Sequence, residues 1–361
     1  MSSLTRQCLF LLFTLLIVLT AQMICFAEAK APEKQITIGA IVPTLSAEFW
    51  NRYVTFMKKG AAELDVRVIM INADNKVDSM HRHLKLLLDK KVDGLIYVPY
   101  WNSGRMGLKL AAEANVPVIL TDVYIPGVRP QEEFANYLAF VGPADADAGY
   151  QMALALFEAT QAAEDGKKHV GVMNGTEGTT VAIDRRAGLE KALREHPEIV
   201  VVGEVNGNFV RHTSQQVMEE LYRAHPEIKG VWCANGGTAT GVMAALKNAG
   251  KRPGKDIMVV AMDLNPQNIQ AIRKGELLFD IGGHWLQGGF ALVMMHDYLK
   301  GVSIPKEQAN VKLDLLPVNA QLLPKFRKEF PRGMPVYDFK SHSRVFDPSD
   351  QTAVFELKYG N

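Results

Sequence analysis

Apolar and polar positions alternate along this chain in two periods. Ile36-Thr-Ile-Gly-Ala-Ile-Val42 is almost wholly apolar and rich in β-branched residues, the composition of a strand buried on both faces. After a loop over 43–50, apolar residues recur at Trp50, Tyr53, Val54, Met57, Ala61 and Leu64, the spacing that lines one face of a helix. Residues 66–71 read as the next strand. The unit then repeats, with a helix carrying Met80, Leu84, Leu87 and Leu88, strands at 94–98, 116–120 and 139–142, and a helix over 108–114. A second series predicts helices at 146–162, 181–194, 213–222, 238–249, 266–274 and 287–299. Strands are predicted between them at 169–173, 199–205, 230–233, 257–262 and 277–281. Alternation at this pace predicts an α/β fold of two doubly wound parallel sheets, each of five or six strands with helices on both faces.

The pattern changes beyond 315. Pro317, Pro324, Pro331, Pro335 and Pro348 interrupt any long helix. The aromatics Phe326, Phe330, Tyr337, Phe339, Phe346 and Phe355 predict a segment draped over the body.

Composition narrows the function. At 361 residues and 48% hydrophobic, the chain can bury a large core, and its length favours two domains. A net charge of +1 without a long basic run argues against nucleic acid as a partner. Arg6 precedes an apolar run over 9–19, and Ala27 and Ala29 bracket a cleavage point, so 1–29 reads as a secretory signal peptide. Of three cysteines, Cys8 and Cys25 fall within that signal, and Gln22-Met-Ile24 lacks the small residues of a lipoprotein signal. Cys233 alone remains, so the mature chain is expected to form no intramolecular disulfide. No later apolar stretch is long enough to span a bilayer.

Enzyme signatures are missing: no G-x-G-x-x-G follows a strand, and there is no Walker loop, G-x-S-x-G or H-E-x-x-H. Neither catalysis nor a cofactor is expected. Gly236 and Gly237 read as tight-turn glycines. His81 and His83 diverge on a helix, which fits a solvated surface and no metal site.

Aromatic and polar residues gather instead where strands end. Phe49 and Trp50 follow the first strand, Tyr100 and Trp101 the third, and Asp122 the fourth. Asn174, Asn235, Asp263, His284 and Trp285 hold the same place in the second series. Ligands of open parallel sheets bind beyond the carboxyl ends of the strands. Rings packed over hydrogen-bonding groups suit a small polar ligand. Singly, such residues have plain structural roles in packing and helix capping; their joint occurrence points to a site.

Over residues 36–305 the chain resembles the type I periplasmic binding proteins, the ribose- and galactose-binding family of ABC-transporter receptors. The similar segments are Ile41-Val-Pro-Thr-Leu-Ser-Ala-Glu-Phe-Trp50, Lys91-Val-Asp-Gly-Leu-Ile96, Asn115-Val-Pro-Val-Ile119, Gly230-Val-Trp-Cys-Ala-Asn235, Ile257-Met-Val-Val-Ala-Met-Asp263 and Ala271-Ile-Arg-Lys-Gly-Glu-Leu277. The resemblance implies two domains joined by three crossings that close on a ligand like a hinge, the closed form being recognised by a membrane partner. The implied division is a first lobe of 36–142 plus 284–311, a second of 143–283 plus 312–325, and an extension of 326–361. By position, Phe49 and Trp50 resemble the family's stacking aromatics, and Asp122, Asn235 and Asp263 its polar contacts. Arg185 lies where a second-domain arginine is expected. The chain departs from the pentose binders at Val123, at Gly236-Gly237 and at Gly283-His284. Short segments are also similar to the periplasmic quorum-sensing autoinducer receptor and to the periplasmic partner of the trimethylamine N-oxide sensor kinase. The implied function is capture of a sugar or polyol by a periplasmic monomer for an ABC permease. The alternative is a receptor that docks onto a membrane histidine kinase.

Overall fold

The computed structural model describes residues 34–349 and 357–360. The expected signal peptide lies outside them. The first half of the chain runs β1 (Thr37–Val42), α1 (Glu48–Glu63), β2 (Arg67–Asn72), α2 (Val77–Asp89), β3 (Gly94–Tyr97), α3 (Gly104–Glu113), β4 (Val118–Thr121) and β5 (Tyr137–Pro143). The second runs α4 (Asp145–Ala159), β6 (Lys168–Asn174), α5 (Thr180–Glu195), β7 (Ile199–Asn206), α6 (Arg211–Ala224), β8 (Gly230–Cys233), α7 (Gly236–Asn248), β9 (Met258–Asp263), α8 (Pro266–Arg273) and β10 (Phe279–Gly282). After them come α9 (Gln287–Leu299), β11 (Asn310–Leu313), β12 (Leu316–Asn319) and α10 (Leu323–Glu329).

Two six-stranded sheets result, ordered β11-β5-β4-β3-β1-β2 and β12-β10-β9-β8-β6-β7. Their strands pair in parallel except that β12 runs antiparallel to β10, so the second sheet is mixed. The chain passes between the sheets three times: from β5 into the second series, from β10 into α9, and from β11 to β12.

Burial explains the local patterns. In β1 only Thr37 is partly exposed, consistent with its near-continuous apolar run. α9 is buried from Gln287 to Asp297 because it packs against β3, β4 and β5 as well as α1, and a helix covered on several sides is apolar all round. α5, α7 and α8 start on side-chain caps, Thr179, Asn235 and Asn265, each accepting a backbone N–H.

Periodicity missed three elements. β11 and β12 have only four residues each and lie at sheet edges, where proline is tolerated, as Pro317 is in β12. Pro324 stands in the first turn of α10, the one helical position that suits it, so it starts a short helix instead of preventing one. His81 and His83 are half-buried, a correction to the solvated surface expected for them; their helix packs a steep apolar face inward.

The extension leaves α10 and settles on α1 and α9. Phe339 is fully buried where glycines leave room for its ring: a Cβ at Gly60 would lie 2.5 Å from it, and one at Gly289 3.0 Å. The Arg52 guanidinium donates to the Gly333 carbonyl, and the Arg344 backbone N–H donates to Asp297 at 2.7 Å. Leu357 packs against Gly283 at the second crossing. Beside it the Tyr359 hydroxyl donates to the Pro317 carbonyl at 2.8 Å.

Candidate functional site

A cleft of about 630 Å³ opens where the carboxyl ends of both sheets meet. Phe49, Trp50, Tyr100, Trp101, Asp122, Arg185, Asn235, Asp263 and His284 all line it. Two other strand-end residues do not. Asn174 turns away and donates to Glu204 on the neighbouring strand, and Trp285 is buried under Arg52, whose guanidinium carbon sits 4.2 Å above its ring.

The first sheet supplies an aromatic wall. Phe49 and Trp50 lie in the first turn of α1 with ring centroids 4.8 Å apart, edge to face. Trp50 continues to Tyr100 at 6.3 Å, Tyr100 to Trp101 at 5.6 Å, and on the other side Phe49 meets the His284 ring at 4.5 Å. The Trp50 contacts with Phe49 and Tyr100 are edge to face, and such packing leaves ring faces free for a ligand's C–H groups.

Acceptors form the floor. Gln287 donates its amide to Asp122 at 2.9 Å, and the Gly236 N–H donates to Asp263 at 3.0 Å. Gly236 serves close approach, not the tight turn expected of it: a Cβ there would lie 2.2 Å from the Asn265 amide. Asp122 and Asp263 hold φ of 67° and 105°, and Trp101 53°, a region costly for residues with a Cβ and common at binding sites. Asn235 does double duty, capping α7 through Thr238 while lining the cleft.

Arg185 reaches the cleft from α5. Its Nε donates to Asp145 at 2.7 Å and its Nη1 to the Ala234 carbonyl at 2.8 Å. Glycines bring α4 that close: a Cβ at Gly149 would lie 2.1 Å from the Arg185 carbonyl, and one at Gly188 2.0 Å from that of Ala146. Across the cleft the Tyr124 hydroxyl, just past β4, donates to Asp184 on α5 at 3.1 Å.

Burial sets the electrostatics. It pushes Asp145 up to about 7 and Asp263 up to about 6, with Arg185 opposing in both cases. Asp122 is raised by burial, and hydrogen bonding to Gln287 and the charge of Arg185 restrain the rise. Burial, then Arg185, drives His284 down, keeping its imidazole neutral. Arg185 itself is held above its usual value despite burial, because Asp145 and Asp263 favour its charge.

Beneath the floor, Asp280 is fully buried in β10. Burial and then Asp263 push its carboxyl up to about 8. The native protein therefore keeps a proton that the unfolded chain releases above about 4, so the stability this group contributes is complete at low pH and is lost as pH rises towards 8. Asp280→Asn is expected to flatten the fall in melting temperature between pH 6 and pH 8; equal slopes in variant and parent would refute this.

More of the wall comes from strand ends that periodicity did not single out. Asn75 follows β2, and Asn208 and Phe209 follow β7, all three with positive φ. Asn265 caps α8 and Gln267 lies in its first turn. The strand-end rule, applied to β2 and β7 as well, finds the first three.

Among the described residues no group of three or more His, Cys, Asp or Glu is arranged to hold a metal, and no helix is long and apolar enough to cross a membrane.

Two doubly wound sheets, crossed three times by the chain and enclosing an aromatic and acidic cleft, define the architecture of a type I periplasmic binding protein. The profile of the periplasmic binding protein domain matches residues 38–302, and the chain belongs to that family. Among its relatives, the galactofuranose-binding protein of Escherichia coli is 26% identical over 74% of this chain and 83% of its own. The ribose import binding protein of the same organism is 28% identical over 67% of this chain and 77% of its own. The crystal structure of a periplasmic sugar-binding protein from Pseudomonas fluorescens superposes with a TM-score of 0.78 at 22% identity, covering 90% of this chain and 98% of that one.

Proposed function

We propose that this chain is an exported periplasmic solute-binding protein, a monomer without catalytic activity, that captures a sugar or polyol and delivers it to an ABC permease. The observation that carries this reading is the pairing across one cleft of the Trp50 and Tyr100 rings with the carboxylates of Asp122 and Asp263. A carboxylate offers about four acceptor sites, so both aspartates keep capacity for ligand hydroxyls while the rings cover C–H faces. The names of the galactofuranose and ribose relatives support the same ligand class. Three crossings suit hinge closure, and the Tyr124–Asp184 bond holds the two sides together across the cleft.

Mass spectrometry of whatever is released when gently purified protein is denatured tests this reading. A sugar or polyol is expected, and a molecule without hydroxyls would overturn it. With that molecule in hand, Trp50→Ala is expected to weaken binding by about 1.5 to 3 kcal/mol in calorimetry, the worth of a buried aromatic contact. Unchanged affinity removes Trp50 from the site.

The second reading, a receptor whose closed form docks onto a histidine kinase, is favoured by the extension. It presents Val336 (88% exposed) and Phe346 (51% exposed) beside the covered surface of α1 and α9.

A further inference from the structure

When ionised, the buried carboxylates in and beside the cleft outnumber the buried cations. Asp122, Asp145 and Asp263 are each no more than 5% exposed, and one buried cation, Arg185, stands among them. That guanidinium is already committed, to Asp145 and to the Ala234 carbonyl. Asp122 is met only by neutral donors, the Gln287 amide and the Tyr100 hydroxyl, and stands beside the apolar Val123. Asp263 is met by a peptide N–H, and His284 Nε2 stands 3.7 Å away on an imidazole held neutral. Among the described residues no lysine or arginine forms an ion pair with either aspartate. The cleft lining also holds one further carboxylate, Glu48, and one further guanidinium, Arg211.

Buried carboxylates are stable when a cation or several donors meet them. Two further features of the same cleft select between those partners. The Nδ1 of His284, a residue 1% exposed, has no hydrogen-bond partner, so the site also awaits a polar group. Phe49, Trp50, Tyr100 and Trp101 wall the space above the aspartates with rings, whose faces attract cations.

We propose that the ligand bears a protonated amino group beside its hydroxyls, as an aminated sugar or polyol does, and that Asp122 and Asp263 receive that cation at the floor of the cleft. This rests on the reading of the cleft as a site for a hydroxylated solute. The ammonium supplies the missing positive charge, the hydroxyls take the remaining acceptor sites, and the rings cover the rest of the ligand.

Treating the molecule released from gently purified protein with an amine-reactive label, then weighing it, tests the inference. A hydroxylated molecule that takes one label is expected. A neutral sugar overturns the inference and leaves the sugar reading standing, whereas a molecule without hydroxyls overturns both. If the cleft is empty, calorimetry with matched pairs decides: 2-amino-2-deoxyhexoses and amino-polyols against their neutral parents and their N-acetyl forms, which lack the charge. Binding of an aminated member at least about tenfold tighter than its neutral parent is expected, with the advantage erased by N-acetylation. Asp122→Asn and Asp263→Asn, which keep the side-chain shape, are expected to shrink that ratio towards one. Equal affinities within the pairs, no binding by any aminated member, or a ratio unchanged in both variants would overturn the inference.

Discussion

Arg185→Ala is expected to cost about 3 to 5 kcal/mol of stability and to abolish ligand capture. The loss comes less from the missing bond than from what remains. Asp145, 5% exposed and 2.7 Å from the removed Nε, would be left a buried carboxyl without a cation, forced to take up a proton or open to water, and Asp122 and Asp263 would lose the charge that restrains them. Urea unfolding measures the first effect and calorimetry the second. Adding Asp145→Asn to Arg185→Ala is expected to recover much of the stability and none of the binding, because the neutral amide removes the cost of the orphaned carboxyl but restores no positive charge beside the cleft. If the single variant unfolds with the parent, the ion pair is not what holds α4 to α5.

Phe339→Ala is expected to cost a similar amount, about 3 to 5 kcal/mol, through the cavity it leaves. The ring is fully buried and lies 4.9 Å from Phe56 and 4.8 Å from Tyr337, ring centre to ring centre. Gly60 and Gly289 cannot close the gap, having no side chain to move into it. Thermal melting should show a drop of several degrees, while affinity for the released ligand stays near that of the parent, since Phe339 does not line the cleft. An unchanged melting temperature would mean that the extension adds no bracing to α1 and α9.

The alternation of periods made both sheets legible because each strand is a local signal bounded by its own helix. β1, with its β-branched run, and α1, with its one-sided stripe, are readable without knowing what they touch. The cleft was legible for a related reason: parallel connectivity forces every strand end to one edge, so Phe49, Tyr100, Asp122, Asn235 and Asp263 could be gathered before any contact was known. What escaped depends on partners far along the chain. β11 and β12 exist because β5 and β10 have open flanks, and nothing in Asn310-Val-Lys-Leu313 announces that. Asn174 obeys the strand-end rule yet faces Glu204, because residues at the end of a strand still alternate sides. The short reach of Gly236 to Asp263 is a matter of backbone approach that composition does not display.

The strand order bears on how the protein comes into being. Along the chain β1 to β5 come first, with one face awaiting α9 and one flank awaiting β11. Between them lies the whole parallel part of the other sheet, β6 to β10, which is contiguous and lacks only the edge strand β12. Loop closure over such a span is slow compared with pairing among neighbours. The half that comes first in the chain is thus the half completed last, and its apolar face stays open until α9 docks, the stage at which a folding chain of this kind is most prone to aggregate.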